Sequence, residues 1–347
     1  MLKWYEESGN NNDVVISSRI RLARNLSKYP FSAKLSPYAA KDMVLELKEK
    51  LSDFMKKDER EYEYISLEQL TDVEKVGLVE RNVLSEALIS KEGTTAAIIS
   101  KDGAVSIMLN EEDHIRIQAL VGGMNFEKAF SIADKIDDNI NVQFQYAFDE
   151  RMGFLTSFLT NIGTGLRASY LLHLPAMAST RRLTGIAADI GRFGVTIRGM
   201  NSGGNVGVGN MYQIYNQKTL GQSEADIIAG LNSIVNQIIG QERKLRKRML
   251  DDKSVSTADK FYRSYGILKY SKKLDITEAM NLLSDVQLGI SMGIINVEDS
   301  GIPCIYSIMM GIQPANLEKN SGKHFDKEER MAYRAEYVKN HLPEIIS

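Results

Sequence analysis

The sequence predicts an α+β fold in two parts, a strand-containing body over residues 1–252 and a helical part over residues 253–347. Three observations carry this. Short runs of period-two alternation recur between residues 14 and 216, stretches of helical spacing separate them, and past residue 250 the apolar positions follow mostly helical spacing. A chain of 347 residues also exceeds the size at which single cores stop growing, so two domains are expected.

The first expected strand is Val14 to Arg24, VVISSRIRLAR. Val14, Ile16, Ile20 and Leu22 share one parity, which sets Ser17, Arg19 and Arg21 together on the opposite face. Residues 36–57 and 67–90 carry helical spacing, and Ser36-Pro37 is a start signal for the first of these. Thr94 to Ser100 and Ala104 to Leu109 read as a hairpin around Lys101-Asp102-Gly103. A short helix is expected over Phe126 to Ile136, and then INVQFQYAF, Ile140 to Phe148, whose alternation makes it the clearest strand of the chain. TNIGTGLRASYLLHLP, Thr160 to Pro175, is punctuated by glycine and then alternates, so Arg167 stands at the mouth of a strand; His173 reads as a satisfied core residue. Residues 178–192 read as helix, Phe193 to Gly199 as a strand that Arg198 closes, and Met211 to Asn216 as a strand after the glycine-rich loop Asn201 to Asn210. Ser223 and Asp226 form a capping-box-like start for a helix reaching about residue 250, whose basic end, ERKLRKRML, reads as a solvated face. Asp251 to Ser254 marks the boundary. Helices over Thr257 to Leu268, Thr277 to Met292 and Lys327 to Asn340 follow.

Composition narrows the function. A net charge of -2, with 25% charged residues, argues against a general nucleic-acid binder, so any anion chemistry must be local. The N-terminus lacks the apolar core of a signal peptide, no run approaches the length of a membrane span, and Cys304 is the only cysteine; a cytoplasmic protein is expected. Cys304 lies in the apolar run Ile302 to Met310 and is expected to be a buried structural thiol, and Ile302 to Ile312 is expected to be buried or interface surface.

The densest chemistry is Asn110 to Gln118, NEEDHIRIQ, at the end of the Val105–Leu109 strand. Glu112 can accept a proton or hold a cation, and Arg116 can hold an anion, so one short turn offers both halves of a transfer reaction. The alternative is a solvated turn with internal ion pairs. With Arg19, Arg21, Arg167 and Arg198, Arg116 makes five arginines at strand ends or polar strand faces, a set suited to clamping a polyphosphate without a P-loop lysine. The glycine loop is no Walker A motif, since no Gly-Lys-Ser or Gly-Lys-Thr follows.

SSRIRLAR, NEEDHIRI, TNIGTGLRAS and the IRG before the glycine loop stand here in the order found in phosphagen (guanidino) kinases, and residues 10–250 resemble that family. Within it the chain is most similar to the bacterial protein arginine kinases, because the SSR motif arrives at Ser17 without the helical covering domain of members that act on free arginine or creatine. The resemblance implies an antiparallel sheet flanked by helices and a helical C-terminal domain for dimerisation and substrate recognition. It also implies that Arg19, Arg21, Arg116, Arg167 and Arg198 grip the phosphates of ATP, with magnesium carried on the nucleotide and no metal site of the protein's own. Glu112 would hold the substrate guanidinium and take its proton. Proteins with exposed arginines would be the substrates, in a stress-response setting, with an activator protein and Clp-type protease machinery as partners and a homodimer as the working form.

The sequence makes three departures from the family pattern. Phe158 and Leu159 replace Cys-Pro, Gly203 replaces the second substrate glutamate, and the C-terminal phosphoarginine receptor motif keeps Arg330 and Arg334 but loses its acidic residue. The first two departures support an alternative, a silent relative that binds nucleotide and phosphoarginine proteins without transferring phosphate.

Overall fold

The computed structural model describes residues 3–200, 207–298 and 302–346. Its body is a sheet of eight strands with every pairing antiparallel. In chain order, β1 (Val15–Arg24) is followed by α1 (Pro37–Lys57), β2 (Tyr62–Ser66), α2 (Asp72–Glu80) and α3 (Glu86–Ser90). The hairpin β3 (Ala96–Ser100) and β4 (Val105–Leu109) leads to β5 (Ile115–Gly122), α4 (Phe126–Gln143) and the small ribbon β6 (Phe148–Asp149) and β7 (Gly153–Phe154). Then come β8 (Leu166–His173), α5 (Pro175–Ser179), α6 (Leu183–Gly191), β9 (Val195–Gly199) and β10 (Met211–Asn216). The spatial order of the large sheet is β2-β3-β4-β5-β1-β8-β10-β9. β1 therefore lies at its centre, between β5 and β8.

The alternation of β1 divides two environments. Ile20 and Leu22 sink into a core shared with α4 and with α7 (Glu224–Tyr270), and each such side chain fully buried contributes about 1.5–3 kcal/mol. Arg24 points the same way. It is 1% exposed, grips Asp137 of α4 through Nε and Nη2 at 2.7–3.1 Å, and lies over the Phe154 ring at 3.6 Å. This arginine is a structural tie between sheet and helix.

Four sequence expectations change here. INVQFQYAF is not a strand: α4 runs on to Gln143, because Phe126, Ala129, Ala133, Ile136 and Ile140 form one buried helical stripe while Val142 is 88% exposed. Residues 67–90 break into α2, a turn with Asn82 at φ 59°, and α3, which is capped by Ser85. The helix starting at Ser223 does not end near residue 250. It continues unbroken to Tyr270, since no glycine or proline stands between residues 241 and 265 and Leu245, Phe261 and Leu268 keep it packed. Nor is its basic stretch wholly solvated: Arg246 is buried, donating to Glu242 at 2.8 Å and to the carbonyls of Asp13 and His173.

Beyond α7, the helices α8 (Ile276–Ser291), α9 (Ile302–Gly311), α10 (Pro314–Ser321) and α11 (Lys327–His341) form the C-terminal part. α8 lies along α7, and α10 packs on α2, where Glu80 accepts hydrogen bonds from the Ala315 and Asn316 amides at 2.9 Å each. The methionine-rich α9 is core, with Ile305, Tyr306, Ile308 and Met309 buried. Cys304 falls outside that stripe and is exposed, contrary to the expected buried thiol, with its Sγ 3.7 Å from the His341 carbonyl. Among the described residues, no helix is long and apolar enough to cross a membrane.

Candidate active site

Ladder register places the five arginines on one face of the sheet. Arg21 pairs with Arg167 of β8, Arg19 with Ser169, and Ala23 with Arg116 of β5; directly opposed residues share a face. Tyr215 opposes Ser169 and Gln213 opposes Leu171, two residues along on the same face of β8, and Gln213 in turn opposes Arg198. All five guanidinium groups thus belong to the face opposite α4 and α7.

They are not equivalent. A cavity of about 360 Å³ is lined by Arg21, Arg116 and Arg167 together with Glu112, Phe158 and Asn161. Arg19 lies behind it, beside Trp4 and Ser169, and donates to the Ser169 hydroxyl at 3.2 Å. Arg198 is exposed on β9, two strands out from β8, and does not line this cavity. The charge is concentrated. Burial, followed by the neighbouring Arg116, lowers Arg19 to about 10, and burial with Arg19, Arg116 and Arg167 around it pushes Arg21 well below the ordinary arginine range. Arg21 Nε is buried without a hydrogen-bond partner. Like charges crowded this way, with a donor unused, fit a polyanion as their missing partner.

The acidic turn that faces them is built by its own hydrogen bonds. Asn110 adopts φ 57° and closes the turn through its amide to the His114 carbonyl at 2.8 Å. His114 is buried. Its Nδ1 accepts from the Leu26 amide at 3.0 Å, so its Nε2 donates to the Pro30 carbonyl at 2.9 Å and the ring is neutral. Glu111 is buried and holds Arg116 Nη1 at 2.6–2.7 Å, while the Ser85 hydroxyl donates to it. Glu112 is the one member left partly open, 36% by side chain, and accepts from Arg116 Nη2 at 2.9 Å. Asp113 turns inward to accept from Asn25 Nδ2 at 2.7 Å and from the Ser157 amide at 2.6 Å. The turn is therefore no solvated charge run: three of its four charged or titratable groups from Glu111 to His114 are buried parts of a frame that presents the fourth.

That frame also sets the opposite wall. The segment ahead of β8 enters through Gly163 at φ 109° and Gly165 at φ 64°; a Cβ at Gly165 would stand 2.6 Å from the Ala23 carbonyl, so only glycine fits. Arg167 follows two residues after Gly165, donating to Asn161 Oδ1 at 3.2 Å and lying 5.3 Å from the Tyr215 ring centroid. Phe158 lines the cavity and is half exposed. Gly203 lies outside the described residues.

Arg330 and Arg334 do not make an open pair. Arg334 is 3% exposed and spends its donors on the Ile312 and Leu274 carbonyls, whereas Arg330 is tied to Glu318 at 2.9 Å and to the Phe325 carbonyl. Their spacing on α11 is as expected, but packing against α9 and α10 turns Arg334 into a structural tie. Glu111, Asn161 and Tyr215 are contributors that sequence reading left unassigned. For Glu111 a signal existed, since it stands beside Glu112 and five residues from Arg116. A larger cavity of about 510 Å³ between α6 and α7 carries no cationic side chain and does not suit phosphate.

An antiparallel sheet that presents a row of arginines toward a positioned glutamate describes a class, the ATP:guanidino phosphotransferases. Residues 42–245 match the family "ATP:guanido phosphotransferase, C-terminal catalytic domain", and residues 254–346 match the "Protein-arginine kinase McsB C-terminal domain", so the first match ends and the second begins within α7. The chain is 39% identical over 340 residues to the protein-arginine kinase of Halothermothrix orenii, covering 98% of this chain and 96% of that one. It is 41% identical over 342 residues to the protein-arginine kinase of Bacillus cereus, covering 98% and 95%. Two solved structures share the fold: the duplicated taurocyamine kinase of Schistosoma mansoni, with a TM-score of 0.62 at 22% identity over 74% of this chain and 38% of that one, and lombricine kinase, with 0.61 at 20% over 72% of each. The chain belongs to the ATP:guanido phosphotransferase family, and within it to the protein-arginine kinases.

Proposed function

We propose that this protein transfers the γ-phosphate of ATP to arginine side chains of other proteins, with Glu112 as the proton acceptor and the arginine floor as the phosphate clamp. The observation that carries this is that Glu112, the one carboxylate of the NEED turn left partly open, shares one cavity with Arg21, Arg116 and Arg167. Arg21, Arg116 and Arg167 hold the phosphate oxygens, Arg19 adds positive potential from behind, and Arg198 closes on the nucleotide from β9. Magnesium carried on the nucleotide would supply further neutralisation of the charge on the phosphate oxygens beside Arg21, Arg116 and Arg167. A guanidinium nitrogen of the target arginine attacks the γ-phosphorus, the bond to the bridging oxygen breaks to release ADP, and Glu112 takes the proton shed by that nitrogen. An arginine side chain stays protonated at neutral pH, so a placed carboxylate is what makes it a nucleophile.

Glu112 is held by Arg116 in this structure. Phosphate oxygens compete for that guanidinium, which frees the carboxylate for the substrate. Nucleotide first is therefore the favoured order. One observation favours a second reading, a silent relative: the Phe158 ring walls the cavity where the resemblance places a thiolate. ADP release coupled to an arginine-containing protein separates the two. Transfer supports the kinase when replacement of the target arginines by lysine abolishes ADP release, and ADP release indifferent to arginine counts against it.

The same reading extends to the setting. A homodimer would use the C-terminal part, where Tyr262, Ile267 and Tyr270 leave apolar surface exposed on α7; sedimentation that stays monomeric at high concentration would rule it out. A cytoplasmic stress role, with an activator and Clp-type protease partners, follows from the resemblance to protein-arginine kinases.

A further inference from the structure

We infer that Phe158 is the platform on which the guanidinium of the target arginine lies, a specificity-determining residue that replaces an anionic neighbour by a ring face. The inference rests on the kinase reading and names how that site holds its substrate.

Position comes first. Phe158 lines the same cavity as Glu112 and is 49% exposed, and the adjoining Leu159 is 84% exposed. An aromatic left open in the wall of a charged cavity, with an exposed leucine next to it in sequence, is not a core residue. Their placement is also fixed. The Ser157 amide donates to Asp113 Oδ1 at 2.6 Å, and Asn25 Nδ2 bridges Asp113 at 2.7 Å to the Leu155 carbonyl at 3.1 Å. The Phe158 carbonyl itself accepts from Thr156 Oγ1 at 2.8 Å and from the Asn161 amide at 2.9 Å. Asp113 follows Glu112 directly, so carboxylate and ring hang from one hydrogen-bonded frame and keep their mutual distance as substrate enters.

The chemistry selects guanidinium. Arg21, Arg116 and Arg167 repel a cation, and attraction has to come from the wall: Glu112 supplies charge, and the face of the Phe158 ring supplies its negative quadrupole. A planar, weakly hydrated guanidinium stacks on a ring where a compact ammonium keeps its water. The chain uses the same pairing nearby, with the Arg24 guanidinium 3.6 Å from the Phe154 ring centroid. Leu159 then offers apolar contact to the stem of the target arginine or to the residue beside it in the polypeptide.

The test compares wild type with Phe158→Ala and Phe158→Tyr, using a short acetylated and amidated arginine peptide at saturating MgATP. A lost guanidinium–ring contact predicts that the alanine variant raises the peptide KM about 3- to 30-fold. KM for MgATP should stay as in wild type, and the tyrosine variant should recover the peptide KM. An unchanged peptide KM in Phe158→Ala, or equal losses in the alanine and tyrosine variants, overturns the inference while leaving the kinase reading intact. If wild type transfers no phosphate, the kinase reading fails and calorimetric binding of the same peptide decides the platform. The same fold-loss on Phe158→Ala supports it, and equal affinity, or no binding by wild type, overturns it.

Discussion

Glu111→Gln isolates the buried half of the NEED turn from its proposed catalytic half. Glu111 has no exposed side-chain surface, holds Arg116 at 2.6–2.7 Å through both oxygens, and accepts from Ser85. Burial pushes its carboxyl above the usual range, and the Arg116 guanidinium pulls it back. Glutamine keeps the volume and one acceptor but leaves Arg116 short of a buried counter-charge, a class of change that costs about 3–5 kcal/mol when the partner is left alone. Arg116 is not left alone. It retains Glu112 and is 12% exposed, so a loss of about 2–3 kcal/mol is expected, against which relief of the carboxylate desolvation works in the opposite direction. The assay is denaturant unfolding with a parallel MgATP titration. Stability should fall by that amount, and nucleotide affinity should weaken because Arg116 swings fully onto Glu112. A variant within about 0.5 kcal/mol of wild type that binds MgATP equally well would refute the idea that Glu111 positions Arg116.

Three further outcomes follow from the same geometry. His173 is fully buried, its Nε2 is paired with Ser284 at 2.8 Å, and burial with Arg246 nearby holds its pKa well below the ordinary value. The unfolded chain therefore binds the extra proton, so stability is present above about pH 6.5 and falls by up to about 1.4 kcal/mol per unit as pH drops below it; His173→Gln should flatten that slope, and an unchanged slope would contradict the assignment. Gly165→Ala combines φ 64° with a Cβ 2.6 Å from the Ala23 carbonyl, and should cost at least about 1–2 kcal/mol in urea unfolding while weakening nucleotide binding through the displaced Arg167; a neutral effect on both would be inconsistent with the turn as described. Because Arg116 occupies Glu112 at 2.9 Å, MgADP should tighten binding of an arginine peptide measured by calorimetry, and equal peptide affinity with and without nucleotide would remove the exchange from the account.

Much of the site was legible because β-ladders transmit parity. Once Arg19 and Arg21 share a face of β1, antiparallel register fixes the faces of Arg167, Arg116 and Arg198, and nothing in the connecting helices alters that. Side chains whose partners come from distant segments were not legible. Glu111 and Glu112 are neighbours in sequence, yet only α3, arriving with Ser85, makes one of them interior. The spacing of Arg330 and Arg334 suits a phosphate clasp, but the link between α9 and α10 brings the Ile312 carbonyl to Arg334. INVQFQYAF failed for a different reason: its apparent alternation over Ile140 to Phe148 coincides with the tail of a helical stripe, and a short apolar run does not distinguish the two periods. The length of α7 was hidden by a charged stretch that resembles a linker but contains no residue that stops a helix.

The central claim is that Glu112 removes the proton that makes a protein-bound arginine a nucleophile. Its most direct test is intact-protein mass spectrometry of an arginine-rich substrate protein after incubation with MgATP at mildly alkaline pH, for wild type and for Glu112→Gln, followed by acid treatment. The account predicts added phosphate with wild type that is lost in acid, as expected of a phosphorus–nitrogen bond, and none with Glu112→Gln although that variant still binds nucleotide. Acid-stable phosphate, or transfer by Glu112→Gln at the wild-type rate, would contradict it.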